Sequence, residues 1–157
     1  MLSFFRIFAI KDTEMATNFY MQQDGGLAVD IESTFNIRVT SVRGLNPASP
    51  KELFTRDWAG EDGIDVYLPA TRKKKATEVT MTCFAEKTDT KTAIDLYDEF
   101  CAYIFDGAID YWDTLQLRKV NLIYNENKPS WYQFIPPQRL MFEITFLNKT
   151  GAIINVV

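Results

Sequence analysis

The chain contains no histidine and only two cysteines, Cys83 and Cys101, among its 157 residues. Without histidine it lacks the commonest general base and the commonest metal ligand. Every Ser-His or Cys-His mechanism is excluded with it. Two cysteines supply neither a disulfide framework nor a zinc spacing. Cys83 falls in an alternating apolar run and Cys101 on the apolar stripe of a predicted helix, so both read as small buried hydrophobes. The seven glycines form neither G-x-x-x-x-G-K-[ST] nor G-x-G-x-x-G, so no phosphate cradle is present. There is no excess of positive charge either. Seventeen basic residues face 21 acidic ones, a net charge of −4, which argues against nucleic-acid binding through a basic face. Long apolar runs are missing too. Met1–Ile10 is apolar but is broken by Arg6 and has no basic n-region, so it reads as a docking strand or arm, not as a leader or a membrane span.

What the chain does have is bulk for a core: 46% of its residues are hydrophobic and 14% aromatic. That suits one mostly-β domain over residues 1–157, able to bury roughly 70% of its unfolded surface. Asp24-Gly25-Gly26 sits between two β-prone runs and predicts a hairpin, so residues 1–31 read as an N-terminal arm or hairpin, or as the start of the main sheet. Phe35, Ile37 and Val39 alternate with polar residues as in a half-buried strand. After the turn Gly44–Pro50 and the acidic, glycine-rich loop Arg56–Gly63 comes a short strand, Ile64–Leu68, and then the basic run Arg72–Lys75. Glu78–Ala85 is a strand with apolar or β-prone residues on both faces, hence central.

One helix is predicted, about 89–105, capped by Asp89 or Thr90 and ended by Gly107, with Ile94, Tyr97, Cys101 and Ile104 on its apolar stripe and Ala93 and Phe100 beside them. Thr114–Tyr124 reads as a long strand whose apolar phase slips between Leu117 and Val120, which predicts a bulge near Arg118-Lys119. Trp131–Phe134 follows as a hairpin partner. Leu140, Phe142, Ile144 and Phe146 alternate in a closing strand, and Ala152–Val157 is an uncharged β-prone tail. The fold class is therefore α+β and mostly β: a β-sandwich or split barrel with one packed helix.

Candidate chemistry is sparse. Asp57, Glu61, Asp62 and Asp65 do not match a calcium loop, and they read as a solvated turn. A hydrolase using Asp57, Asp62 or Asp65 stays a minor reading. No catalytic, cofactor-binding or metal-binding residue is assigned, and no cofactor is expected. The apolar and aromatic residues that could meet a partner are Phe4, Phe5 and Phe8 near the N-terminus, Trp58, Tyr111 and Trp112, and Ile153, Ile154 and Val156 in the tail, although aromatics placed like Tyr111 and Trp112 more often plug the end of a core. Trp58, Tyr111, Trp112, Trp131 and Tyr132 could instead serve a monomeric carbohydrate- or peptide-binding module.

Several segments taken together carry a resemblance. Phe35-Asn36-Ile37-Arg38-Val39 leads into Gly44-Leu45-Asn46-Pro47, then Arg56-Asp57-Trp58 and Gly63-Ile64-Asp65-Val66-Tyr67. The strand Glu78–Cys83, the helix Ala93–Phe105, the step Tyr111-Trp112-Asp113 and the strands Arg118–Tyr124 and Leu140–Phe146 follow. This order, over roughly residues 30–150, resembles bacteriophage distal tail and tail-tube proteins, above all the N-terminal domain of distal tail proteins. The resemblance implies a virion or prophage tail component assembled in the bacterial cytoplasm. It implies a homo-oligomeric ring, a hexamer, that continues the tail tube or joins it to the baseplate and other tail proteins. DNA passes through the lumen of such a ring without specific binding, and the acidic balance suits that passage. No membrane partner is implied. Many distal tail proteins carry a C-terminal host-facing domain, for which this chain leaves no length.

Overall fold

The computed structural model describes residues 18–128 and 138–155, the side chains of 126–128 excepted. The first described elements are strands β1 (Phe19–Gln23) and β2 (Val29–Asp30), which pair antiparallel around Asp24-Gly25-Gly26 as a hairpin. The hairpin starts the main sheet, because β1 also pairs with β7 (Ala108–Asp113). Helix α1 (Ile31–Phe35) follows, with the Asp30 carboxylate accepting the Ser33 N–H at 3.0 Å. It stops at Asn36, whose φ of 53° is left-handed, a conformation asparagine tolerates better than most residues. Phe35 thus ends a helix and does not begin a strand, yet it is buried on the same core as Ile37 and Val39 of β3 (Ile37–Arg43).

Strands β4 (Thr55–Arg56) and β5 (Asp65–Val66) form a separate two-stranded ladder. The predicted strand Ile64–Leu68 shrinks to those two residues of β5. Next come β6 (Thr77–Glu86), helix α2 (Ala93–Phe105), β7, β8 (Arg118–Lys128), β9 (Arg139–Asn148) and β10 (Ile154–Asn155). The main sheet runs β2-β1-β7-β8-β9-β6-β3, with β10 paired on β8, and all the pairings are antiparallel. It is open, mostly β with two helices, and fits the expected α+β class. Strand β6 lies between β3 and β9, as its two-faced composition predicts, and Val79, Met81, Cys83 and Ala85 are fully buried on one side. Leu140, Phe142, Ile144 and Phe146 of β9 line the same core.

One face of this sheet is covered by the helices, α2 packing on β6 and β9. Helix α1 touches both β1 and β3, so the sheet curls until its two ends reach one short helix, and α1 fills the gap. The buried stripe of α2 is Ala93, Leu96, Phe100 and Ile104. That is turned by about one residue from the predicted stripe: Ile94 is exposed, and Tyr97 and Cys101 are only partly buried. The cap also differs. Thr92 accepts from the Asp95 N–H while the Asp95 carboxylate accepts from the Thr92 N–H, a reciprocal box that outcompetes Asp89 and Thr90. Gly107 has φ 76°, the left-handed residue expected after the helix.

Residues 114–117 are a turn between β7 and β8, not the first half of a strand. Leu117 has φ 53°, and the phase slip read from Leu115 and Leu117 arises from this turn. The irregular pairing of β8 lies further on, between Tyr124 and Glu126. The turn is held by Asp113, which is 2% exposed. Its carboxylate accepts from the Leu115 N–H at 2.9 Å, the Gln116 N–H at 2.5 Å and the Tyr111 hydroxyl at 2.8 Å. Asp113→Ala strands those three donors, and the expected loss is about 2–3 kcal/mol. Asp113→Asn keeps an acceptor for the turn and should recover part of it. A denaturant midpoint unchanged by the alanine would remove Asp113 from this role.

Candidate assembly surface

The described residues offer two outward-facing regions, and the first is the uncovered face of the sheet. Directly opposed residues on neighbouring strands share a face. The register Tyr20↔Trp112, Trp112↔Lys119 and Ile154↔Lys119 therefore lays Tyr20, Trp112, Lys119 and Ile154 in one row across four strands. Tyr20 and Trp112 stack with centroids 5.6 Å apart, and the Lys119 ammonium lies 5.2 Å from the Trp112 ring. Beside this row, Gln22 is opposed to Asp110 and Asp110 to Asn121. Burial works against the charge of Asp110. The hydrogen bonds from Asn121 and Lys119, with the Lys119 charge 3.0 Å away, outweigh it and lower its pKa.

The tail thus returns to its own sheet. Strand β10 takes the place beside the start of β8, Ile153 packs partly on the core, and Ile154 stays exposed. Trp112 and Ile154, far apart in sequence, are brought together through Lys119. Tyr111 is a correction to the interface set. It is fully buried among core residues, where its hydroxyl donates to Asp113 and burial pushes its pKa up. Alternation along β7 turns Trp112 outward and Tyr111 inward. Phe4, Phe5, Phe8, Trp131, Tyr132 and Val156 lie outside the described residues.

The second region is the arm between β3 and β6. From 51 to 76 every residue is exposed except Leu53 and Pro69, which are half-buried. Trp58 belongs to it. Its indole N–H donates to Asp65 at 2.9 Å, and the Arg56 guanidinium sits 3.5 Å over its ring. On the same arm Phe54, Ile64, Tyr67 and Leu68 project into solvent, each at least 60% exposed. Sequence reading missed Ile64, Tyr67 and Leu68 because an apolar run beside a turn ordinarily means a core strand, and it assigned nothing to Phe54. Asp57 and Asp62 are exposed on the same arm and do not converge with Asp65 on a buried cleft. Among the described residues no group of three or more His, Cys, Asp or Glu could hold a metal ion, and no helix is long and apolar enough to cross a membrane.

The described residues thus form a curled antiparallel sheet with helices on one face and an extended arm. Neither a protein family nor a curated protein sequence matches the chain. Solved structures do. The fold is shared with SPP1 Dit, described as a paradigm of the hub adsorption apparatus in phages that infect Gram-positive bacteria. The TM-score is 0.60 at 18% identity, covering 87% of this chain and 52% of that one. A chain of the phage p2 baseplate in its activated conformation with strontium gives a TM-score of 0.51 at 12% identity, covering 83% and 43%. The chain spans about half the length of these solved chains. The distal-tail fold read from strand and turn order is the fold observed.

Proposed function

We propose that the chain is a structural, non-enzymatic subunit of a phage or phage-like tail. It forms a ring, a hexamer, that continues the tail tube or joins it to the baseplate, and residues 1–157 act as a single domain. The observation that carries this reading is the fold shared with SPP1 Dit over 87% of the chain. The exposed arm and the Trp112–Lys119–Ile154 row support it, because they supply apolar surface for neighbours. Its partners are copies of itself and other tail or baseplate proteins. The net charge of −4 keeps phosphate from adhering, so DNA passes the lumen without being held. In the virion the protein sits in the tail.

Negative-stain electron microscopy of the purified chain tests the reading. Six-fold rings with an open centre are expected. A field of single small particles at every concentration would count against it.

A further inference from the structure

We propose that the arm joins one copy of the chain to the next, the acidic tip of one arm docking on the basic base of its neighbour's arm. The inference rests on the ring reading above and names the surface that closes the ring.

The arm has no core of its own. Its ladder consists of Thr55↔Val66 and Arg56↔Asp65, and an isolated two-stranded hairpin is marginal in water. Phe54, Ile64, Tyr67 and Leu68 nevertheless stand exposed on it. Its charge is segregated along its length. The tip carries Asp57, Glu61, Asp62 and Asp65 against Arg56 alone. The base carries Lys51, Arg72, Lys73 and Lys74, held together by the Pro50↔Lys74 bridge and the Lys51 N–H donating to the Lys73 carbonyl at 2.8 Å. Among the described residues, Asp57, Glu61, Asp62, Arg72, Lys73 and Lys74 join no ion pair, whereas Lys75 is taken by Glu52 at 2.9 Å.

Among the described residues no ion pair joins the two poles within one arm. A second copy supplies each pole with its complement. The base also has a place for an apolar group: a pocket of about 310 Å³ with Leu53 and Pro69 in its wall and Lys51, Arg72 and Lys73 around it, together with Thr71 and Glu52, the latter paired with Lys75. The tip offers the matching knob, Ile64, beside Asp65 and two residues from Asp62. A tip-to-base contact is head-to-tail, and such heterologous contacts close into rings when their rotation permits.

A charge swap in the full chain tests this. One variant carries Asp57→Lys, Glu61→Lys and Asp62→Lys; the other carries Arg72→Glu, Lys73→Glu and Lys74→Glu. All six sites are exposed, so both variants should melt like the parent. Each alone should need a concentration roughly tenfold higher or more to assemble, because like charges now meet. Mixed one to one, they should recover the parental mass, each tip again facing an opposite base, and an even-membered ring accepts that alternation. Variants that assemble like the parent, or a mixture as dissociated as its components, would overturn this inference and leave the ring reading standing. A parent protein that never associates would overturn both.

Discussion

Phe100→Ala should be the most damaging core substitution, with an expected loss of about 3–5 kcal/mol. Phe100 is fully buried at the centre of the α2 stripe. Its ring meets Phe35 of α1 edge-on at 5.4 Å and Phe142 of β9 at 6.4 Å, so one side chain ties both helices to the sheet. Whole domains are stable by about 5–15 kcal/mol, and the variant would keep only part of that. Chemical denaturation gives the value. Phe100→Leu, which keeps most of the volume, should lose less than half as much. Equal losses for the two would mean that the site collapses around the missing ring and that Phe100 is not the tie.

Gly44→Ala should come next, because two penalties act there together. Gly44 has φ 93° at the end of β3, where the chain leaves the sheet for the arm. An added Cβ would lie 2.0 Å from the Glu78 carbonyl oxygen. The left-handed dihedral alone costs an L-residue about 1–2 kcal/mol. The overlap is with backbone, so β3 and β6 must separate, and the sum is expected to reach about 3 kcal/mol or more. Gly107 supplies the control: it has φ 76° but nothing within 4 Å of its Cβ position. Gly107→Ala should show the dihedral cost only. The Gly44 variant should also assemble poorly, since the arm departs from that point. Equal melting shifts for the two alanines would contradict the close contact at Gly44.

Where one face of a strand is apolar and the other is not, the sequence is readable. Val79, Met81 and Cys83, then Leu140, Phe142, Ile144 and Phe146, put the core strands where they are found. Helix α2 was legible in extent but not in rotation. Ile94 and Cys101 make a competing apolar stripe, and only packing on β6 and β9 selects Leu96 and Phe100. Strand β7 was hidden because its inward set ends in a buried acid. Asp113 lies inside with Ile109 and Tyr111, which inverts the usual pattern and left Tyr111 and Trp112 unseparated between core plug and surface patch. The candidate surfaces were half legible. Trp112, Trp58 and Ile154 were named, but the row through Lys119 depends on register between strands remote in sequence. The basic run Arg72–Lys75 was visible; its opposition to the acidic tip appears only once 51–76 is seen to stand clear of the core.

Absolute mass by light scattering after size-exclusion chromatography, across a concentration series, tests the assembly account most directly. A mass that settles at six times 18.1 kDa and does not grow further is the predicted result, since a closed ring has no free tip or base. A mass of 18.1 kDa throughout, into the tens of micromolar, would contradict it.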